Sequence, residues 1–265
     1  MSRRTALITG ASSGIGAAFA EVFAANGFDL VLTARRTDRL DAAATRLSQA
    51  FGITATVITA DLGDADAPRR ICDELASRGI AVDVLVNNAG YGIPGAFTAS
   101  EWPRHAAMLQ VMVVALAELT HRLLPGMVSR GYGRIINVAS LAALVPAPAG
   151  HTLYAATKAL VVKFSESLAH EVRPQGVHVT ALCPGFTFSE FHDVTGTRET
   201  VRHLPGWFWM DAATVAREGY AAVMAGSPVH VTGRFNRAMA TLARLVPQGL
   251  LVAIGRRTAR LYRKS

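Results

Sequence analysis

The residues best placed for chemistry lie in the run Tyr154-Ala-Ala-Thr-Lys158. A Tyr and a Lys four positions apart share one face of a helix. A phenol ordinarily titrates near pH ~10 and is a poor acid or base at neutrality. A neighbouring ammonium favours the phenolate, so Lys158 is expected to lower the Tyr154 pKa. Such a pair moves a proton to or from a substrate oxygen. Many helices carry this spacing by chance. Its weight here comes from Ser140, which ends an apolar strand fourteen positions earlier, where its hydroxyl could donate to a substrate carbonyl.

A second group of residues suits a phosphate. Thr5 to Thr9 reads as a first strand, followed by Gly10-Ala-Ser12-Ser13-Gly14-Ile15-Gly16 and a helical pattern through Phe19, Val22 and Phe23. A glycine turn between a strand and a helix brings backbone amides close to a pyrophosphate at the helix N-terminus. The second strand, Asp29 to Thr33, ends at Ala34-Arg35-Arg36. A carboxylate near this point would favour the free ribose of NAD(H). Arginines without a carboxylate suit a 2′-phosphate, so NADP(H) is the expected cofactor.

The elements that must position these groups alternate strand and helix, the pattern of an α/β protein. A helix from Asp38 to Ala50 buries Leu40 and Leu47 and exposes Arg39 and Arg46. Strands follow at Ile53–Thr59, closed by Asp61-Leu62, and at Val82–Val86, closed by Asn87-Asn88-Ala89-Gly90. Between them lies a helix whose inner side includes Ile71 and Leu75. Trp102 to Arg130 is a long, interrupted helical stretch, with a bend expected at Pro125. The strand from Arg134 ends at Ser140. The Tyr154 helix runs to about Val172 with Leu160, Phe164 and Leu168 on its apolar side. The strand Val177 to Leu182 leads into Cys183-Pro184-Gly185, with His178 read as an exposed strand residue.

Composition narrows the class. At 265 residues, 51% of them hydrophobic, the chain suits one large domain. Two cysteines give neither a disulfide framework nor a metal cluster, and no metal is expected. No apolar leader precedes the first strand and no run reaches the ~18 apolar residues of a membrane span, so a cytoplasmic protein is expected. The net charge of +8 sits after Glu218: Arg234, Arg237, Arg244, Arg256, Arg257, Arg260, Arg263 and Lys264 occur there with no acidic residue. Charge gathered in one tail, without a recognition motif, argues against nucleic acid as a partner.

Two late regions read differently. Residues 186–211 gather Phe186, Phe188, Phe191, Trp207, Phe208 and Trp209 without a steady period, as expected of a lid over an apolar pocket. From Asn236 the chain is basic and amphipathic, interrupted at Pro247 and Gly249. This extension suits either packing on a neighbouring subunit or peripheral contact with an anionic membrane. The expected division is therefore 1–235 as the main domain, with its lid at 186–211, and 236–265 as an extension.

Taken together these residues resemble the short-chain dehydrogenase/reductase family. Thr9-Gly10-x-x-x-Gly14-x-Gly16, Asp61-Leu62, Asn87-Asn88-Ala89-Gly90, Ser140, Tyr154-x-x-x-Lys158 and Pro184-Gly185 stand in the family's order across about Thr5 to Gly185. The resemblance implies a single Rossmann-fold domain, a doubly wound parallel sheet of about seven strands flanked by helices. It implies Tyr154 as acid or base, Lys158 as its electrostatic partner and ligand of the nicotinamide ribose, and Ser140 as the group polarising the substrate oxygen. Gly10, Ser12, Ser13, Gly14, Ile15 and Gly16 would line the phosphates, with Arg35 and Arg36 at the 2′-phosphate. Asp61 and Leu62 would flank the adenine; Asn88, Ala89 and Gly90 would pack beside the cofactor; Pro184 and Gly185 would border nicotinamide. Homodimers or homotetramers are frequent in the family.

The chain departs from the family pattern twice. Met112, in Gln110-Val-Met112-Val-Val114, aligns with the asparagine of the catalytic tetrad, and the Ser140–Tyr154 spacing is one residue longer than usual. The leading expectation is an NADP(H)-dependent enzyme that reduces a carbonyl or oxidises a secondary alcohol on an apolar small molecule. The competing one is a non-catalytic nucleotide-binding sensor or scaffold, favoured by Met112 alone.

Overall fold

The computed structural model describes residues 3–147, 150–188, 190 and 205–246, without the side chains of Trp207 and Arg244. Most of the 186–211 segment and the extension beyond 246 therefore lie outside the described residues.

Seven parallel strands form one sheet in the order β3-β2-β1-β4-β5-β6-β9. They are β1 (Thr5–Thr9), β2 (Asp29–Thr33), β3 (Ala55–Val57), β4 (Val84–Asn87), β5 (Gly133–Val138), β6 (Val177–Cys183) and β9 (Val229–Val231). A short parallel pair, β7 (Thr187–Phe188) and β8 (Met210–Asp211), stands apart. The helices are α1 (Gly14–Ala25), α2 (Thr37–Phe51), α3 (Ala67–Ser77), α4 (Trp102–Leu109), α5 (Ala115–Ser129), α6 (Thr152–Val172), α7 (Ala212–Met224) and α8 (Arg234–Leu245). This is the doubly wound Rossmann architecture.

Strand alternation builds both cores. On β1, Ala6 and Ile8 join the layer formed with Phe19, Phe23, Leu40, Leu47, Val215 and Val223, while Leu7 joins the opposite layer with Ile71, Met108, Leu119 and Val172. Leu40 and Leu47 on α2, and Ile71 and Leu75 on α3, are buried as expected. Strand order reverses beside β1, which neighbours both β2 and β4. Sheets of this kind bind ligands at that switch point, outside the carboxyl ends of the strands.

Three local expectations change. The long helix is interrupted at Gln110–Val114, which forms a π-turn, whereas Pro125 lies inside continuous α5. A helix of this length and apolarity could cross a membrane by composition, but its inner face, including Met108, Met112, Ala115, Leu119 and Met127, is buried in the core. On α6, Leu160 faces outward, and the inward positions are Ala155, Lys158, Val161, Val162, Ser165, Leu168 and Val172. Registering the stripe on Lys158 instead of Leu160 gives this face. His178 is half-buried, with Nδ1 donating to Val223 O at 3.1 Å.

A buried polar chain aligns the elements under the site. Asn87 Nδ2 reaches Thr120 Oγ1 at 3.1 Å and Asn137 Oδ1 at 2.9 Å, and Asn137 Nδ2 reaches Ser165 Oγ at 2.9 Å. Thr120 and Ser165 bond back to Leu116 O and Val161 O. These bonds tie β4, β5, α5 and α6 in one register. Because each link is satisfied, the network specifies a single arrangement of the helix that carries Tyr154.

Candidate active site

The carboxyl ends of β1, β4, β5 and β6 deliver the candidate residues to one edge of the sheet. Around the glycine turn, Gly10 and Gly14 have φ of +66° and +55°, which L side chains rarely adopt. Crowding adds to this. A Cβ on Gly16 would lie 2.3 Å from Gly10 O, and one on Gly10 would lie 3.0 Å from Ala89 Cα. Ser13 stands at the N-cap of α1 but its side chain makes no bond to the helix amides, so the first turn keeps donors for a ligand.

Thr9 holds this turn against β4. Its hydroxyl accepts from Asn88 N at 2.9 Å and Ala89 N at 3.0 Å and donates to Val86 O at 3.2 Å. Asn88 Nδ2 returns to Thr9 O at 2.9 Å. Asn88 thus braces the turn with its side chain. The sequence signal for this role of Thr9 is a hydroxyl at the last position of a buried strand.

Arg36 is drawn onto the same turn. Its Nη2 donates to Ser12 Oγ and Ser13 Oγ, both at 2.9 Å, and its Nε to Ser12 Oγ at 3.2 Å. A guanidinium fork framed by two hydroxyls is a donor set that fits a phosphate monoester. Arg35 is exposed beyond it. Asp61 is exposed and accepts from Gly63 N at 2.9 Å, while Leu62 is buried in the core.

On the opposite side, Ser140 follows β5 and Tyr154 sits in the first turn of α6, close enough for the serine hydroxyl to act on the phenol's pKa. The 3₁₀ turn Leu141–Ala143 follows Ser140. Ser140 Oγ also accepts from Ala142 N at 3.2 Å, which leaves its proton for another acceptor. Lys158 is buried, and its Nζ donates to Val138 O at 2.7 Å.

The expected charge effect of Lys158 on Tyr154 is overtaken by burial. Desolvation pushes the Tyr154 pKa up, opposed by the Ser140 hydrogen bond. Desolvation also pulls Lys158 down to about 8, against the influence of Cys183. The ammonium stands 5.7 Å from the Tyr154 ring centroid and spends a donor on a carbonyl. The pair is therefore set up with a protonated phenol at neutrality.

Met112 lies in the π-turn, buried, against Gly90: a Cβ on Gly90 would come 3.3 Å from Met112 Cγ. Pro184 O accepts from Leu141 N at 2.8 Å, locking the end of β6 to the Ser140 turn. Gly185 is pressed by α8; a Cβ there would meet Asn236 Nδ2 at 2.5 Å. Of the aromatic segment, Phe186 and Phe188 pack on Trp209 at 5.5 and 4.9 Å between centroids, and Phe208 packs on Phe235 at 5.1 Å. His105, unexpected from sequence, is buried with Nε2 on Phe97 O at 3.1 Å and lines a cavity of about 10 Å³ beside Leu153 and Tyr154. Among the described residues no group of three or more His, Cys, Asp or Glu could hold a metal.

Comparison with known proteins agrees with this geometry. Residues 4–199 match the short chain dehydrogenase family model. Nodulation protein G of Rhizobium meliloti is 33% identical over 239 residues, covering 87% of this chain and 96% of the relative. Sulfoacetaldehyde reductase 2 of Chromohalobacter salexigens is 37% identical over 187 residues, 70% of this chain and 73% of the relative. Among solved structures, a short-chain dehydrogenase from Sphingobium yanoikuyae in complex with NADPH superposes with a TM-score of 0.82 at 33% identity, covering 94% and 95% of the two chains. The bulky-bulky ketone specific alcohol dehydrogenase from Comamonas testosteroni gives 0.77 at 30% identity, with 95% of each chain covered. A match over most of the sheet, carrying the glycine turn, Ser140, Tyr154 and Lys158 to one edge, places this chain in the short-chain dehydrogenase family.

Proposed function

We propose that the protein is an NADP(H)-dependent oxidoreductase that interconverts a carbonyl and a secondary alcohol on an apolar small molecule. The observation that carries this reading is the meeting of Ser140, Tyr154 and the buried Lys158 on the same sheet edge as the Arg36–Ser12–Ser13 donor cluster. The NADPH complex of the Sphingobium relative supports the choice of cofactor. The bulky-ketone specificity of the Comamonas relative and the aromatic packing around Trp209 support an apolar substrate.

Reduction adds a hydride to the carbonyl carbon and a proton to its oxygen. The cofactor supplies the hydride when bound. Tyr154 gives its phenolic proton to the oxygen, and Ser140 donates a hydrogen bond that holds the oxygen in line. Lys158 stabilises the phenolate left behind and holds the nicotinamide ribose. Gly10, Gly14, Ile15 and Gly16 approach the pyrophosphate. Arg36, with Ser12 and Ser13, takes the 2′-phosphate, and Arg35 covers the adenine side. Asp61 and Leu62 flank the adenine, Asn88, Ala89 and Gly90 pack beside the cofactor, and Pro184 and Gly185 border the nicotinamide. Met112 takes the tetrad asparagine position and slows proton relay.

The wider reading keeps residues 1–235 as the catalytic domain, closed by 186–211, and 236–265 as an extension. The chain works as a homodimer or homotetramer in the cytoplasm, and its basic extension suits packing on a neighbouring subunit, with peripheral membrane contact as the alternative. The test is NADPH oxidation with a panel of apolar ketones and aldehydes beside Tyr154→Phe. Turnover in the wild type that disappears in the variant is the expected result. Turnover that survives the variant would overturn the assignment of Tyr154.

A further inference from the structure

Arg36 has a second partner that its cofactor role does not need. Its Nη1 donates to Glu190 Oε2 at 2.9 Å, and Arg39 Nη1 donates to Glu190 Oε1 at 2.6 Å. Glu190 follows β7, 154 positions away from Arg36, so only the fold brings them together. All three nitrogens of the Arg36 guanidinium are thus directed at serine hydroxyls or at one carboxylate.

We propose that Glu190 is a specificity-determining residue: its carboxylate stands in for the 2′-phosphate on Arg36, and NADP(H) binds by displacing it. The proposal rests on the assignment of Arg36 to the 2′-phosphate. A carboxylate carries one negative charge and a phosphate monoester nearly two, with three acceptor oxygens. The phosphate therefore wins the exchange, and its net gain is reduced by the pairs it breaks. A carboxylate left in place would repel it.

The exchange is feasible because the pairs are solvated. Arg36 and Glu190 side chains are each 39% exposed, and Arg39 is 46% exposed. Exposed ion pairs are weak and rearrange readily. The two guanidiniums hold the Glu190 pKa at about 2, mainly through their hydrogen bonds, so the carboxylate is charged at every pH a binding assay would use. NADH lacks the phosphate and makes no claim on these donors. Glu190 consequently taxes NADPH and leaves NADH untouched.

The experiment measures dissociation constants of NADPH, NADH and adenosine 2′,5′-bisphosphate for the wild type, Glu190→Gln and Glu190→Ala. Both variants should tighten NADPH and the bisphosphate by roughly three- to tenfold, the size of one or two exposed ion pairs, with NADH within about twofold. In an Arg36→Ala background the gain should vanish. Unchanged or weaker NADPH binding, or equal tightening of NADH, would overturn the proposal. A wild type that binds neither dinucleotide sinks the cofactor assignment and this proposal together. A wild type that binds NADPH with Glu190 silent sinks this proposal alone.

Discussion

The two ends of the cofactor groove hold cations under opposite conditions. Lys158 is buried beside Tyr154 without a carboxylate, and desolvation drives both groups toward their neutral forms. Arg36 and Arg39 lie at the surface with Glu190 between them, and pairing drives that carboxylate firmly toward its charged form. The same kind of charge suits proton transfer where water is excluded and ligand recognition where water remains. A site that must move a proton near neutrality benefits from the first condition, and one that must release a charged ligand benefits from the second.

The largest effect is expected at the buried end. Tyr154→Phe should lower turnover by about a hundredfold to ten-thousandfold, the contribution of a positioned acid or base, while leaving NADPH affinity nearly unchanged. Stopped-flow hydride transfer beside equilibrium binding separates the two. A matching loss of affinity would mean that the phenol serves the cofactor instead of the oxygen.

Next comes the exposed end. Arg36→Ala should weaken NADPH by about ten- to a hundredfold through lost charge-assisted bonds, with little change for NADH. Equal losses for both dinucleotides would place the 2′-phosphate elsewhere and dissolve the comparison.

A stability measurement sharpens the contrast. Lys158 titrates near 8 when folded against 10.5 for the ordinary side chain. Below pH 8 both folded and unfolded states carry its proton, and the folded state bears the desolvation cost, roughly 3 kcal/mol. Between about 8 and 10.5 the unfolded state binds more protons, so this cost is relieved as pH rises. Lys158→Met should therefore be inactive yet more stable than the wild type at pH 7, with the advantage shrinking toward pH 10. Paired denaturant titrations across pH check this, and a variant less stable at pH 7 would show that the bond to Val138 O outweighs desolvation.

The smallest effect is expected at Met112. Met112→Asn should raise turnover modestly where proton relay limits the rate, with a solvent isotope effect that falls in the variant. An unchanged rate across pH would remove Met112 from the relay.

Periodicity and local chemistry made the frame legible from the sequence. Apolar strand runs, glycines at forced turns and the stripes of α2 and α3 depend on neighbours within a few residues, and the structure has them where the sequence pattern places them. The π-turn at Gln110–Val114 was located only as an interruption and misassigned to Pro125, because a prolyl ring is visible in sequence and a widened helical turn is not. The α6 face was misread through Leu160 because a buried lysine contradicts hydropathy; Lys158 faces inward while Leu160 is exposed.

The sequence alone determined the order of strands and helices, the glycine turn and the Tyr154–Lys158 spacing, since each is encoded over short stretches of chain. Only the tertiary structure decided the protonation tendencies of that pair, the bracing of the turn by Thr9 and Asn88, and the meeting of Glu190 with Arg36 and Arg39. Burial and long-range approach set those properties, and both depend on what the rest of the fold places nearby.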